Sequence, residues 1–196
     1  MTGRTGSGNG REDMRTMVRT LWRPIPLDRR LARVVGVALF AGLTALGAFV
    51  RVPLPFTPVP VTLQVFFVLL SAVVLGRSAA ISQALYLALG AAGLPLFTGA
   101  AGGFAHLLGP TGGYLLGFVA AAWVTGSIAR RYRGTADTLL ALLLGIAIIY
   151  FCGTLQLALL LHLSPWRALQ LGVLPFIGAD LVKAAAVLAI ARRIER

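Results

Sequence analysis

The sequence of 196 residues is poor in cysteine, lysine and acidic side chains, and each scarcity excludes a class of protein. Because Cys152 is the only cysteine, no internal disulfide can form and no thiolate cluster can hold a metal. A phosphate-binding Walker A loop needs Gly-Lys-Ser/Thr, whereas the only lysine, Lys183, is followed by alanine. A GxSxG nucleophile motif, a metal triad and paired catalytic carboxylates are absent as well. We therefore expect no metal, no cofactor and no enzymatic activity.

Charged residues are scarce too: they make up 12% of the chain, whereas hydrophobic residues make up 58% and the mean hydropathy is +0.85. A soluble domain has about 25% charged and about 45–50% apolar residues. The net charge of +12 does not indicate nucleic-acid binding, because the basic residues stand between long apolar runs and form no basic face interleaved with aromatic side chains. The sequence predicts a multi-pass protein of the plasma membrane, surrounded by the lipid bilayer.

The apolar runs are long enough to cross a membrane as helices, which requires roughly 20 residues per span. They predict an all-α membrane protein with six transmembrane helices near 31–50, 61–75, 78–94, 111–129, 136–162 and 171–191. Residues 1–28 are polar and rich in arginine, so we expect a disordered basic tail before a membrane domain at 29–196. With six spans, every arginine except Arg51 and Arg167 falls on one side, and the positive-inside rule places both termini in the cytoplasm.

Three loops are predicted to face outward: a first loop at 51–60, a second at 95–110 and a third at 163–170. Prolines exclude a helix from the first loop, which is nonetheless apolar and suits either a rigid linker or a lid over a pocket. The second loop is uncharged and rich in glycine, which allows its backbone to approach a ligand or helices to pack closely. We expect the two loops to roof an outward-facing pocket, with a lid formed by Pro55, Phe56, Thr57 and Pro58.

Asp180 and Lys183 carry opposite charges inside the last predicted span. A charged residue at the middle of a membrane helix costs about 2.5–3.5 kcal/mol on insertion scales. Their spacing of three residues places both on one helix face, where they are able to pair. The pair either locks helices together or binds a ligand. We favour the ligand, because a buried ion pair is often replaceable by apolar residues without loss of stability.

Other residues in or near the spans have two interpretations each. Gln64 and Tyr86 hydrogen-bond either a neighbouring helix or a ligand. Arg51 and Arg167 reach either the membrane interface or an anionic solute. Two overlapping patterns of small residues four apart let another helix approach, either within the fold or from a partner subunit. These patterns consist of Ala38, Ala41, Gly42 and Ala45.

Three segments resemble the BioY family, the biotin-specific S components of energy-coupling-factor (ECF) transporters. They are Arg51-Val-Pro-Leu-Pro-Phe-Thr-Pro-Val-Pro-Val-Thr-Leu-Gln64, the run Gly109-Pro-Thr-Gly-Gly-Tyr-Leu-Leu-Gly-Phe118, and Asp180-Leu-Val-Lys183. The resemblance covers roughly residues 33–193. It implies an S-component fold of six helices that binds biotin near the outer face, beneath the first loop.

The resemblance also implies roles for single residues. Asp180 and Lys183 match a polar pair for the ureido ring of biotin, to which a carboxylate and an ammonium are complementary. Some members carry an amide side chain in the stretch that matches 97–99, and Gly99 departs from that pattern. The partner of the biotin carboxylate stays open between backbone N–H groups of the loops and Thr111. The expected substrate-binding residues are Gln64, Tyr86, Phe97, Thr98, Gly99, Thr111, Gly113, Tyr114, Asp180 and Lys183.

The partners implied by the resemblance are a transmembrane coupling subunit, which would contact the small residues of the first span, and two ATPase subunits. The chain would then be the substrate-binding subunit of a biotin importer, with biotin as its transported ligand. Two alternatives stand beside this one. The first is a stand-alone or proton-coupled carrier that uses Asp180 and Lys183 as a relay, and the second is an S component for another vitamin.

Overall fold

The computed structural model describes residues 28–132 and 134–194. By its contacts the chain divides into a unit at Met1–Ala32 and a unit at Arg33–Arg196. In the described part of the first unit, the carbonyl of Asp28 accepts a hydrogen bond from the N–H of Ala32 at 2.9 Å. The predicted tail lies outside the described residues except at Asp28, and the following paragraphs concern the second unit.

Among the described residues, the regular secondary structure is helical apart from one small antiparallel sheet and an isolated β-bridge between Phe97 and Ala101. Strands β1 (Arg51–Val52) and β2 (Val61–Thr62) flank the proline-rich first loop, and Arg51 lies opposite Thr62 in their ladder. A turn of 3₁₀ helix at Gly76–Ser78 joins the second helix to the third. The helices are α1 (Arg29–Phe49), α2 (Gln64–Leu75), α3 (Ala79–Ala91), α4 (Phe104–Leu107), α5 (Gly112–Arg131), α6 (Thr135–Leu160), α7 (Pro165–Gly172) and α8 (Ile177–Ile194).

Several helical segments are long and apolar enough to cross a membrane. Four qualify by length and hydropathy: Arg29–Phe49, Gln64–Ala91, Gly112–Arg131 and Thr135–Leu160. A fifth is obtained when α7 and α8, which meet at an angle of 54°, are taken as one broken span. Many large apolar side chains point outward from these helices, where lipid would cover them; they include Leu39, Leu46, Phe151, Leu159 and Val182. The chain is therefore a helical membrane protein.

The segment Gln64–Ala91 folds back on itself at the 3₁₀ turn. Nε2 of Gln64 donates a hydrogen bond to Oη of Tyr86 at 2.7 Å, although these residues would lie roughly 33 Å apart on one continuous helix. Gly76 has a φ of +61°, and the side chain of Arg130 lies where a Cβ at this position would stand. Glycine therefore makes the turn possible, and α2 and α3 form an antiparallel hairpin of two short helices.

Contacts between loops and helix ends fix the direction of the other helices. The N–H of Leu63, just before α2, donates to the carbonyl of Gly47 near the end of α1 at 3.2 Å. Nε2 of Gln156, near the end of α6, donates at 2.8 Å to the carbonyl of Gly109 in the second loop. At the opposite end of the helices, Nε of Arg77 donates to Oγ of Ser127 at 3.2 Å. The first and second loops thus lie at one end, and the hairpin turn lies at the other.

The third loop differs from its prediction, because residues 165–172 form helix α7. Ser164 caps this helix by accepting a hydrogen bond from the N–H of Arg167 at 3.4 Å, and Pro165 occupies the first turn, where its missing N–H costs nothing. The long final helix begins at Ile177 rather than at Leu171. The predicted last span is therefore interrupted by a short turn, and Asp180 lies in the first turn of α8.

Candidate functional site

A cavity opens at the end of the molecule where the first and second loops lie. It comprises about 520 Å³ of empty space, including its open mouth. Strand β2 and helices α2, α5, α6 and α8 all contribute to its wall. The lining residues are Val59, Pro60, Val61, Thr62, Gln64, Val65, Thr98, Thr111, Tyr114, Leu115, Phe118, Ile149, Tyr150, Phe176, Asp180 and Lys183.

Asp180 and Lys183 form an ion pair in the wall of this cavity. Nζ of Lys183 lies 2.6 Å from Oδ1 of Asp180, and Asp180 is only 3% exposed. The same ammonium donates a second hydrogen bond, also of 2.6 Å, to the carbonyl oxygen of Thr62. The pair therefore connects the last helix to strand β2, and it is held where a bound molecule would touch it.

Tyr150 completes this polar cluster from helix α6. Its hydroxyl donates a hydrogen bond of 2.7 Å to Oδ2 of Asp180, so each carboxylate oxygen already has one partner. A carboxylate oxygen has two lone-pair sites, and an ammonium has three protons, of which Lys183 uses two. One Lys183 proton and further lone pairs on Asp180 are left for a ligand. The cluster is complementary to a neutral group that carries both N–H donors and a carbonyl acceptor.

The rest of the cavity wall is mostly apolar, which suits a hydrophobic body attached to such a polar group. Aromatic rings come from α5 and from the turn before α8, and aliphatic side chains come from α2, α5 and α6. Burying such surface favours binding by roughly 25 cal/mol per Å². The residues concerned include Val59, Val65, Leu115, Phe118, Ile149 and Phe176.

Gln64 lines the cavity, but its amide is largely engaged with the protein. Oε1 accepts hydrogen bonds from Oγ1 of Thr62 at 3.2 Å and from Oγ1 of Thr98 at 3.5 Å. Nε2 donates to Oη of Tyr86, which donates in turn to the carbonyl of Leu96 at 3.3 Å. Tyr86 is fully buried and lies outside the lining, so it positions Gln64 and the second loop behind the wall.

Tyr114 and Thr111, at the beginning of α5, line the cavity. Oη of Tyr114 donates a hydrogen bond of 2.8 Å to the carbonyl of Gly172, which ties α5 to the end of α7. Oγ1 of Thr111 lies 3.3 Å from Nε2 of His106. Partial burial lowers the pKa of His106 below its ordinary value, so the ring is held neutral near pH 7.

Three other predicted residues lie close to the cavity without lining it. Phe97 is fully buried between the rings of Tyr86 and His106, with centroids 5.6 Å and 5.0 Å away. Gly113 lies against the carbonyl of Cys152, which brings α5 and α6 together. Gly99 is exposed in the second loop at a φ of +83°. These three residues therefore lie next to the cavity wall and are not part of the cavity surface.

Within the predicted lid, Thr57 is anchored by a hydrogen bond, whereas Pro55 and Phe56 are exposed. Oγ1 of Thr57 donates a hydrogen bond of 2.8 Å to the carbonyl of Leu171, which anchors the first loop to α7. Thr57 and Pro58 line a second, open cavity next to the first, whereas Pro55 and Phe56 are exposed and line neither. The first loop reaches the main cavity with its last residues, beginning at Val59.

The small residues predicted to meet a partner lie on two sides of α1. Ala41 and Ala45 are buried in the core, so they pack within the fold. Ala38 and Gly42 are exposed, and a Cβ at Gly42 would meet nothing within 4 Å. A second helix approaching α1 would therefore reach Ala38 and Gly42 but not the other two.

Two residues that contribute polar groups to the site, Tyr150 and Thr62, were not predicted from the sequence. Tyr150 lies in the longest apolar run without a charge nearby, and a tyrosine within a membrane span was the only available signal. Thr62 contributes its main-chain carbonyl, which a side-chain pattern does not reveal. In the described part of the chain, no group of three or more His, Cys, Asp or Glu side chains is placed to bind a metal.

Comparisons with known proteins identify the family of this chain. The model of the BioY family matches residues 16–196. The biotin transporter BioY of Thermotoga maritima is 40% identical over 167 residues, which is 85% of this chain and 97% of that protein. A probable biotin transporter BioY of Pyrococcus horikoshii is 44% identical over 160 residues, 81% and 93% of the two chains. A crystal structure of the S component for biotin from an ECF-type ABC transporter superposes with a TM-score of 0.80 at 27% identity, covering 88% of this chain and 95% of that one.

Proposed function

Because the chain belongs to the BioY family, we propose that it is the biotin-binding membrane subunit of an importer, capturing biotin at the outer face and delivering it inward. The family is one of transporter S components and not of enzymes. The observation that carries the proposal is the cluster of Asp180, Lys183 and Tyr150 in the wall of a mostly apolar cavity.

The ureido ring of biotin presents two N–H donors and one carbonyl oxygen, and this pattern suits the cluster. The free lone pairs of Asp180 accept from the N–H groups, and the third proton of Lys183 is donated to the carbonyl. Hydrogen bonds to charged partners contribute about 1.5–3 kcal/mol each, so the loss of one such bond to the ligand weakens binding roughly tenfold or more. The fused rings and alkyl arm of biotin then fit the apolar walls.

Six membrane passages with both termini in the cytoplasm are part of the proposal. The hairpin of α2 and α3 supplies two short passages, and the directions of α1, α5, α6 and α7–α8 supply the other four. The turn at Arg77 lies beside Ser127 near the arginine-rich end of α5, which is the side that the positive-inside rule assigns to the cytoplasm. The cavity then faces outward.

The sequence lacks a Walker A loop, so ATP-driven transport requires ATPase subunits on other chains. We propose a transmembrane coupling subunit and two ATPase subunits as partners. The exposed small residues of α1, Ala38 and Gly42, offer a place for close helix contact with the coupling subunit.

The direct test is calorimetric titration of the purified full chain in detergent with biotin, and with dethiobiotin and thiamine for comparison. Saturable binding of biotin at one site per chain supports the proposal. A folded, monodisperse sample that binds thiamine instead, or none of the three, contradicts it.

Uptake in cells separates an ATP-driven importer from a carrier. Biotin accumulation is measured with and without the ATPase subunits, and in the presence of an uncoupler. We expect uptake to depend on the ATPases and to survive the uncoupler. Uptake that needs no ATPase and collapses with the proton gradient would identify a proton-coupled carrier.

A further inference from the structure

Biotin is an anion, and the main cavity does not offer its carboxylate a counter-charge. The cavity wall contains one negative and one positive side chain, Asp180 and Lys183, and these neutralise each other. Two of the three Lys183 protons are already bound, and the third is assigned to the ureido carbonyl. The carboxylate at the other end of the ligand must therefore find its partner elsewhere, provided that biotin is the ligand as proposed above.

The second cavity lies where that other end would emerge. It shares Pro60, Thr98 and Thr111 with the main cavity and comprises about 630 Å³, including its wide mouth. Among the described residues that line it, Arg51 is the one with a formal charge. The two threonines common to both cavities also provide hydroxyl groups along the passage between them.

The backbone of Arg51 is held in the β1–β2 ladder, and its exposed guanidinium lies next to the second loop. Its backbone pairs with Thr62 across the β1–β2 ladder, and the carbonyl of Thr62 is the one that binds Lys183. Nη1 of Arg51 lies 2.7 Å from the place where a Cβ at position 99 would stand, and Cζ lies 3.4 Å from it. The glycine at 99 thus leaves room for the guanidinium beside the second loop.

Arg51 is also available for an anion. The ion pair found among the described residues is that of Asp180 and Lys183, so the guanidinium of Arg51 has no carboxylate partner there. An arginine presents a planar fork of donors that suits a carboxylate in two-point contact. We infer that Arg51 binds the carboxylate of biotin in the second cavity and that the site selects for ligands with an anionic arm.

The test compares biotin with biotinamide, in which a neutral carboxamide replaces the carboxylate and the ureido ring is unchanged. Both are titrated into the wild-type full chain and into Arg51→Gln. Wild-type protein should bind biotin about 10- to 100-fold more tightly than the amide, as expected for a charge-assisted contact. Arg51→Gln should lose this preference, because its affinity for biotin falls to that for the amide while its affinity for the amide stays unchanged.

Arg167→Gln is the matched control. Arg167 is the other arginine predicted to face outward, and its side chain is exposed and bonded to Gln170 rather than directed at either cavity. This variant should keep the wild-type preference for biotin. Gly99→Ala, whose added Cβ would displace the guanidinium, should weaken biotin more than the amide.

Two results would overturn the inference while leaving the proposed function intact. One is an Arg51→Gln variant that still prefers biotin over the amide as the wild type does. The other is an equal loss of affinity for both ligands, which would indicate a structural role for the side chain. If the folded wild-type protein binds neither ligand, the proposed function itself fails, and this inference fails with it.

Discussion

The hydroxyl of Tyr150 on α6 donates a hydrogen bond of 2.7 Å to Oδ2 of Asp180 on α8, although 30 residues separate them in sequence. This contact orients the carboxylate from the side opposite Lys183, which holds the other oxygen at 2.6 Å. The two bonds together fix the plane in which Asp180 presents its remaining lone pairs. A ligand therefore meets a carboxylate whose orientation is set before it arrives, and less entropy is lost on binding.

Tyr150→Phe tests this positioning role. The variant keeps the ring and its packing but frees Asp180 to rotate, so we expect biotin to bind about tenfold more weakly, a loss of ~1.4 kcal/mol. Titration calorimetry measures the change. Tyr132→Phe removes an exposed hydroxyl beyond the end of α5 and should leave the affinity unchanged. Wild-type affinity in Tyr150→Phe would show that Asp180 needs no such support.

Asp180→Asn and Lys183→Ala should each abolish measurable biotin binding. Each removes one charge of the pair that we propose to bind the ureido group and leaves the other member buried without compensation, which also costs about 3–5 kcal/mol of stability. The double variant Asp180→Asn/Lys183→Met removes both charges and should regain most of that stability without regaining binding. Thermal unfolding followed beside the titrations separates the two effects, and biotin binding by any of these variants would contradict the site.

Thr57→Val tests the anchoring of the first loop. The substitution keeps the shape of the side chain but removes its hydrogen bond to the carbonyl of Leu171. We expect biotin to dissociate several-fold faster, because the loop over the cavities opens more readily, and stopped-flow displacement of a labelled ligand measures the rate. Thr138→Val is the matched control, since Thr138 is also buried but bonds to Gly134 within its own helix end. Equal dissociation rates in both variants would show that the loop does not retain the ligand.

Two glycine-to-alanine variants test the packing that positions Tyr114. A Cβ at Gly153 would collide with the ring of Tyr114, which is held between α5 and α6. Gly153→Ala should lower the melting temperature and weaken ligand binding. Gly42→Ala has open space around the new methyl group and gains helix propensity of up to about 1 kcal/mol, so its melting temperature should stay equal or rise. A Gly153→Ala variant as stable as wild type would mean that the two helices separate at little cost.

The helices were predictable because hydropathy summed over some 20 residues is a strong signal, and the break at Gly76 and Arg77 was predicted as well, whereas the break within the last predicted span was not. The hairpin depends on one glycine at a φ of +61°, and the sequence marks it with only Gly76 and Arg77 between two apolar runs. The start of helix α7 is recognisable at Ser164 and Pro165, but this short amphipathic helix was predicted to be a loop.

The charged part of the site was predictable for a related reason: two charges inside a membrane span stand out against an apolar background. Tyr150 was missed because its role depends on the rotational register of α6 against α8, which local sequence does not specify. Phe97 and Tyr86 were predicted to bind the ligand. In the structure their rings pack against each other behind the cavity wall and do not line the cavity. Distinguishing lining from support requires the packed structure.

The contact between Lys183 and the carbonyl of Thr62 joins residues 121 positions apart. Strand β2 precedes α8 in the chain, so the ribosome makes it before α8. A nascent chain that stops before α8 has the roof and most of the apolar wall but lacks Asp180 and Lys183. The proposed biotin-binding cluster is therefore assembled only once α8 has been made, and a chain that stops before α8 would not withdraw the vitamin from copies that contain it.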